Sequence, residues 1–390
     1  MSKRFLTADW IYPVTSSPVY QGTVVVEEEK IVDIISRENA PQEQLEFFMG
    51  MIIPGFINTH CHLELSHLKG KIPSGTGLIE FIRGVVSLRE VPQDVIDDAI
   101  EKADEFMWSC GIQAVGDICN KQDTFPVKRR SKIKYYSFVE MFDFLQEYKT
   151  DELTKNYKEA YANAPEPKSA VPHAPYSVSP GLFAQINQLN SNAVTVSIHN
   201  QELKAEEDLF RNGEGGFYDF YNRFGIGLDH FQKTGKSSIH YSMKHMDQGQ
   251  HALFVHNTLT RQDEIEYAIS WNKNMFWATC PNANLYIENK LPDYSFFTNE
   301  NALMTIGTDS LSSNWQLSIL EEIKTISRYQ SRIPFDTLLE WATINGARAL
   351  RMEDQLGSLE IGKSPGILVL NFNPGKNSLF DADVQVRRII

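Results

Sequence analysis

The sequence has few cysteines and no segment that would direct the chain out of a reducing compartment. Four cysteines occur among 390 residues, and their spacing matches neither a metal-binding pair nor a disulfide framework. The first ten residues lack the apolar stretch of a signal peptide, and no apolar run is long enough to cross a bilayer. We therefore expect a cytoplasmic protein with no membrane partner and with buried, free thiols. The four positions are Cys61, Cys110, Cys119 and Cys280.

Positive charge is also scarce. The chain has 37 lysines and arginines against 50 aspartates and glutamates, which gives a net charge of −13. A nucleic-acid partner would need a basic surface, so this composition argues against one and leaves a small molecule as the expected partner. Hydrophobic residues make up 42% of the chain, enough for a large core.

Short apolar runs, each followed by a polar or amphipathic helical stretch, recur eight times in the middle of the chain. Eight strands that alternate with helices predict an α/β fold, the (β/α)8 or TIM barrel. The two chain ends differ, because GTVVVEEEKIVDII predicts two strands with a turn at Glu29-Lys30, and GSLEIGKSPGILVLNF predicts a turn that leads into a strand. The eight runs are MIIPGFINTH, IQAVGDICN, KYYSFVEMF, SAVPHAPYS, AVTVSIHNQ, HALFVHN, NMFWATCPN and LMTIGTDS.

Most of these runs end in polar or ionisable residues. The active sites of this type of barrel form at the carboxyl ends of the strands, so these residues are the first candidates for a site. They are His60 and His62, Asp117, Glu140, His173, His199, His256, Asn282 and Asp309.

Three of the histidines and one aspartate have the character of metal ligands. His60 and His62 share one face of an extended segment, and His199 ends a second run. With Asp309 at the end of a third run, these residues predict an open site for one metal ion with room for water. The alternative is a set of solvated or core histidines.

Two further residues are candidates for proton transfer and charge stabilisation. Glu202 lies three residues after His199 and is positioned to shuttle protons between water and a substrate, although a glutamate at a helix start is often only an exposed residue. His256 is interpreted as a hydrogen-bond donor to the reacting group; a fifth metal ligand or a core histidine are the alternatives. Asp309 is expected both to bind metal and to accept a proton from water.

As an ordered set, six motifs resemble the amidohydrolase superfamily, in its cytosine deaminase/chlorohydrolase-like branch. The resemblance covers nearly the whole chain and implies a composite β-sandwich from residues 1–53 and 355–390 around a barrel at 54–354. It also implies that ATINGARAL is the closing helix and GSLEIGK the first returning strand, although Ser364-Pro365-Gly366 replaces the usual Ala-Asp of the family. The motifs are PGFINTHCH, HAPYSVSP, HNQE, VHNT, CPNAN and GTDSLSSN.

The resemblance implies hydrolytic deamination of an aminated heterocycle, with the adenosine, S-adenosylhomocysteine, guanine and aminofutalosine deaminases as the most similar groups. The fourth run ends in His173 and offers no bridging lysine, so one divalent metal ion, zinc or iron, is expected. Metal-bound hydroxide would attack the ring carbon and ammonia would leave, with Glu202 and Asp309 moving protons and His256 stabilising charge. The alternatives are triazine dechlorination, cyclic amide opening, and a barrel that binds without catalysis.

The resemblance also suggests substrate contacts. His173 would touch the heterocycle, Glu80 the ribose hydroxyls, and Ser313 would lie near the substrate, although Glu80 is equally an ordinary solvated helix residue. Glu64, two residues after His62, resembles the glutamate of aminofutalosine deaminases; it would act indirectly or pair with Arg83 or Lys69.

The long 203–245 connection is either a lid or, more often for such aromatic segments, the core of a helical insert. A homodimer is expected only by analogy with the family.

Overall fold

Strands from both ends of the chain form one seven-stranded sheet. The structure, a computed structural model, describes residues 3–191, 193–373, 378–381 and 384–390. The strand order is β15-β14-β5-β1-β3-β4, with β2 paired to β1, and one apolar cluster containing Leu6, Val24 and Ile52 packs on the sheet. The strands are β1 Lys3–Ile11, β2 Val19–Tyr20, β3 Gly22–Glu27, β4 Lys30–Ser36, β5 Leu45–Pro54, β14 Ile367–Leu370 and β15 Val386–Arg388.

The end sheet corrects two predictions. The turn between β3 and β4 lies at Glu28-Glu29, one residue before the predicted position, and Glu28 takes a φ of 57° there. GSLEIGK is not a strand: Gly357 and Gly362 both have positive φ, so this stretch turns twice, and the returning strand is β14. The predicted division of the chain at 53/54 and 354/355 stays a prediction. Residues 1, 2, 192, 374–377, 382 and 383 lie outside the described part.

The central strands form two parallel four-stranded sheets, and a strand occupies each of the eight predicted runs. The sheets adjoin at their carboxyl ends, where the His199 N–H donates to His173 O and the Asp309 N–H donates to His60 O, both at 3.0 Å. The predicted (β/α)8 barrel fold is confirmed. The strands are β6 Phe56–Cys61, β7 Ile112–Cys119, β8 Lys134–Met141, β9 Lys168–Pro172, β10 Thr195–Asn200, β11 His251–His256, β12 Met275–Thr279 and β13 Leu303–Ile306.

Helices surround the barrel with their apolar faces inward. In α2 the buried residues Ile96, Ile100, Ala103 and Met107 recur every three or four positions, as one face of a helix requires. The helices are α1 Leu78–Leu88, α2 Gln93–Ser109, α3 Phe125–Arg130, α4 Thr150–Leu153, α5 Lys155–Asn163, α6 Pro180–Leu189, α7 Lys204–Asn212, α8 Gly216–Arg223, α9 Ser238–His245, α10 Gln262–Trp271, α11 Pro281–Glu288, α12 Tyr294–Asn299, α13 Ile319–Tyr329, α14 Phe335–Ala342 and α15 Ile344–Ala349.

Three helices, α7 to α9, fill the long connection between β10 and β11. The Phe217 ring in α8 stacks on Tyr176 at 4.2 Å, so part of this connection is a helical core. The predicted closing helix is α15. Of the free cysteines, only Cys110 is partly exposed. Within the described ranges, every helix is too short or too polar to cross a membrane.

Candidate metal centre and active-site cavity

Four side chains from three strand ends converge at the carboxyl face of the barrel. The Nε2 atom of His62 lies 3.2 Å from Nε2 of His60 and 3.3 Å from Nε2 of His199. The Asp309 Oδ1 atom lies 3.7 Å from the His60 ring nitrogen and 3.5 Å from that of His62. The structure thus brings all four predicted metal ligands together.

The spacing and protonation of these groups fit a divalent ion. Zinc binds imidazole nitrogen at about 2.0–2.1 Å, so tetrahedral ligands are separated by about 3.3–3.4 Å, close to the separations found here. Burial lowers the pKa of His62 to about 3, which keeps the ring neutral as a ligand must be. The Nδ1 atom of His199 donates to the His173 carbonyl at 2.7 Å, which leaves Nε2 free to face the centre.

The Asp309 side chain is negatively charged, and a hydrogen bond fixes its orientation. Burial opposes its charge, but the neighbouring His60 and His62 rings hold the pKa of Asp309 below its usual value. The Ser313 hydroxyl donates to Oδ2 at 2.7 Å, which leaves Oδ1 for the histidines. Ser313 is absent from the cavity lining, so the structure places it behind the carboxylate and not beside a substrate as predicted.

Glu202 and His256 face each other beside this centre. Their nearest side-chain atoms, Glu202 Oε1 and His256 Nε2, are 3.8 Å apart. Burial raises the pKa of Glu202 well above its usual value, and the Asp309 charge adds to this, so both favour the protonated form of the carboxyl group. The Nδ1 atom of His256 lies 2.8 Å from Oδ1 of Asn284. Its Nε2 therefore accepts on the neutral ring and donates only after the ring gains a second proton.

The backbone at this face is strained. Four non-glycine residues have positive φ values, a conformation that costs roughly 1–3 kcal/mol each and persists where the surroundings enforce it. Two hydrogen bonds hold Asn257 in this conformation: its backbone N–H donates to Asn200 O, and its side-chain amide donates to Phe254 O. The four are Gln201 at 45°, His256 at 72°, Asn257 at 58° and Asp309 at 56°.

The centre opens into a cavity of about 410 Å³ with a largely apolar outer wall. A larger groove, of about 810 Å³, lies outside it and contains none of the predicted site residues. Aromatic side chains of α8 reach the cavity, so the 203–245 connection contributes to its wall as well as to the core. The apolar and aromatic lining comprises Leu65, Leu78, Phe81, Ile82, Val85, Val86, Phe142, Phe144, Tyr176, Phe220, Tyr221, Phe224, Ile226 and Ile287.

His173 and Glu64 line the cavity, but Glu80 does not. The Nδ1 atom of His173 lies 2.7 Å from the Ser177 hydroxyl, and burial lowers the pKa of His173 to about 4. Glu80 is exposed on α1 and pairs with Arg83 at 2.7 Å, so its predicted ribose contact is not supported by its position. Glu64 pairs with Arg89 at 2.6 Å instead of with the predicted Arg83 or Lys69.

Two charged residue types in the cavity lining, Glu140 and Arg89, had no predicted role. Glu140, at the end of β8, lies 3.7 Å from His199 Nδ1, and burial together with the Glu64 charge raises its pKa to about 8. The polar end of its apolar run was the available signal. Arg89 follows the last residue of α1, and its local sequence contains no motif that would mark it as part of a site.

Most of the chain is similar to proteins of one known family. The model of the family described as "Amidohydrolase family" matches residues 51–388. An adenosine deaminase of Helicobacter pylori is 28% identical over 363 residues, covering 90% of this chain and 87% of the relative. An aminodeoxyfutalosine deaminase of Nitratiruptor sp. is 25% identical over 398 residues, covering 96% of this chain and 93% of the relative.

Solved structures share the fold. The aminofutalosine deaminase of Helicobacter pylori in complex with methylthio-coformycin superposes with a TM-score of 0.79 at 23% identity, over 99% of this chain and 100% of that chain. A guanine deaminase from C. acetobutylicum with bound guanine gives a TM-score of 0.69 at 15% identity, over 95% of this chain and 91% of that chain.

Proposed function

Because the chain belongs to the amidohydrolase family, we propose that it is a metal-dependent hydrolase that removes the exocyclic amine of a 6-aminopurine nucleoside as ammonia. The substrate is of the adenosine or aminofutalosine type, as the names of the relatives suggest. One observation carries the proposal. A buried carboxyl group, Glu202, lines the same cavity as His62, His199 and Asp309, which converge with His60 as a three-histidine, one-aspartate set.

His60, His62, His199 and Asp309 would hold one divalent ion, zinc or iron. Such an ion, when bound, lowers the pKa of water and so supplies the nucleophile at neutral pH. Side chains of the protein carry out the proton transfers.

Glu202 and Asp309 balance the protons of the reaction. Glu202 donates its proton to the ring nitrogen beside the carbon under attack, while Asp309 accepts the first proton of the attacking water. When the tetrahedral adduct collapses, its hydroxyl proton returns to Glu202, and Asp309 passes its proton to the leaving amine. Both carboxyl groups regain their starting states, and the products are a ring carbonyl and ammonia.

The outer wall supports a particular class of nucleoside. Phe142, Phe144, Phe220 and Phe224 lie among the residues that line the cavity. Burying apolar surface there is favourable by roughly 25 cal/mol per Å². A hydrophobic or aromatic group at the 5′ position of the sugar therefore fits better than the hydroxyl of adenosine, which favours the aminofutalosine or methylthio type.

The first test is ammonia release by the metal-reconstituted protein. The panel contains adenosine, methylthioadenosine, aminofutalosine, guanine, cytosine and a chlorinated triazine. We expect release from the 6-aminopurine nucleosides, fastest from those with an apolar 5′ group. Chloride release from the triazine without ammonia from any nucleoside would exclude the proposal.

The second test is Glu202→Gln, which keeps the shape of the side chain and removes the transferable proton. We expect an unchanged metal content and a loss of turnover of about 10²-fold or more. The matched control is Glu266→Gln, since Glu266 is exposed on α10 and lies outside the cavity. Near-normal turnover of the Glu202→Gln variant would remove Glu202 from the mechanism.

A further inference from the structure

A polar cluster interrupts the apolar wall of the cavity over the ends of β6, β7 and β8. The Arg89 Nη2 atom donates to Glu64 Oε1 at 2.6 Å and to Asn120 Oδ1 at 2.7 Å. The Asn120 amide nitrogen lies 3.4 Å from Glu140 Oε2. All four side chains line the cavity. The mechanism derived above uses none of them.

Two members of this cluster keep unused hydrogen-bonding capacity. Both bonds of Arg89 use Nη2, and the described residues provide no acceptor for its Nε or Nη1 atoms. Glu140 is 3% exposed: its Oε1 atom is buried 3.7 Å from His199 Nδ1, whereas its Oε2 atom has only the 3.4 Å contact with Asn120. Polar groups inside native proteins are nearly always paired, so the unused donors of Arg89, a residue that lines the cavity beside Glu140, indicate a ligand that accepts from them.

The charges of the cluster indicate what kind of ligand this is. Glu64 neutralises Arg89 and is itself held by the backbone N–H groups of Asn120 and Lys121. The cluster therefore offers donors and an acceptor without a free positive charge to attract an anion. A hydroxyl group both donates and accepts, so it can bond to the guanidinium and the carboxyl group together.

We propose that Arg89 and Glu140 bind the vicinal hydroxyl groups of the substrate's sugar, and that Glu64 and Asn120 position them. This inference rests on the proposed function, because it takes the substrate to be a nucleoside. It also moves the sugar contact away from Glu80, which is exposed and paired with Arg83. Arg89 directly follows the last residue of α1, at the opposite end of this helix from Glu80. Its side chain reaches the cavity.

The experiment compares kcat/KM for adenosine, 2′-deoxyadenosine and 3′-deoxyadenosine. A site built to hydrogen-bond a hydroxyl group rejects the analogue that lacks it, so we expect the unaltered enzyme to prefer adenosine over at least one deoxy analogue by about 10²-fold. In Arg89→Met/Glu64→Gln, which removes both charges of the buried pair together, we expect this preference to disappear. The loss is largest for adenosine, because each deoxy analogue has only one of the two hydroxyl groups to lose contact with.

Two further variants separate a binding role from a structural one. Arg89→Lys keeps the charge but loses the planar fork of donors, so we expect an intermediate preference for adenosine. Glu80→Gln is expected to keep the full preference. If Glu80→Gln abolishes the preference, the sugar contact belongs to Glu80 and our assignment is wrong. Folding is checked by circular dichroism and by metal content.

The outcomes for the unaltered enzyme distinguish the two proposals. Equal kcat/KM for adenosine and both deoxy analogues would overturn the sugar contact and leave the deaminase proposal intact. No ammonia from any nucleoside would overturn the deaminase proposal itself. An equal loss for all three nucleosides in the Arg89→Met/Glu64→Gln variant would show that the cluster maintains the cavity without touching the hydroxyl groups.

Discussion

At the scale of single residues, the two oxygens of Asp309 have different partners. Oδ1 faces His60 and His62, whereas Oδ2 accepts the Ser313 hydroxyl at 2.7 Å. We expect Ser313→Ala to lower metal affinity or turnover by about 10–100-fold, because partners of this kind orient the ligand. Metal titration against a competing chelator, with kcat measured in parallel, checks this. Ser270→Ala is the control, since Ser270 is exposed on α10. If Ser313→Ala matches the control, the bond to Asp309 has no such role.

The sequence indicated some residues of the site and not others, for a physical reason. The convergence of His60, His62 and His199 was predictable, because histidines at the ends of parallel strands meet at one face of the barrel. Arg89 was not, since an arginine after a helix is ordinarily solvated and only the packing of α1 over the barrel brings it to the cavity. The pattern around Asp309 placed Ser313 near the site but did not tell which side of the carboxylate it would contact.

At the scale of elements, a buried ion pair ties β7 to the metal-ligand segment. Lys128 Nζ lies 2.6 Å from Asp117 Oδ2, with both side chains almost fully buried. Oδ1 of Asp117 accepts the N–H of Leu63, the residue after His62. Lys128→Met leaves the carboxylate unpaired, so we expect a loss of about 3–5 kcal/mol in the free energy of unfolding.

The double variant Lys128→Met/Asp117→Asn is the matched control for this pair. It removes both charges and keeps an oxygen for the N–H of Leu63, so we expect it to recover most of the lost stability. Denaturant unfolding of the three proteins measures this. Equal stabilities of the single and double variants would mean that the packing of the lysine stem, not the charge pair, determines the effect.

The eight strands of the barrel were predictable because each buried parallel strand is a short, nearly continuous apolar run. The apolar pattern also predicted a turn at GSLEIGK and a strand after it, and β14 is that strand. The family resemblance placed a strand at GSLEIGK itself, where Gly357 and Gly362 take positive φ values and turn the chain. The long connection between β10 and β11 was less predictable. The sequence did not indicate which aromatic residues of α8 would be in the core: Phe217 packs in the core, whereas Phe220 lines the cavity.

At the scale of the whole molecule, the proposed metal ligands connect the two four-stranded sheets. His60 and His62 belong to the end of β6, His199 belongs to β10, and Asp309 follows β13. An ion that binds only the folded chain stabilises it by about 4 kcal/mol when its free concentration is 1,000 times its Kd. We therefore expect chelation to lower the unfolding temperature, and zinc or iron to restore it.

Three variants make the metal prediction specific to the ligand set. His62→Ala removes one ligand, so we expect its unfolding temperature to respond little to added metal. Glu202→Gln and His245→Gln should show the full metal-dependent increase, because Glu202 is assigned to proton transfer and His245 lies outside the cavity in the larger groove. If metal raises the unfolding temperature of His62→Ala as much as that of the unaltered protein, the stabilising ion binds elsewhere. If Glu202→Gln loses the response, Glu202 holds the ion, and the proton transfer must be assigned to another residue.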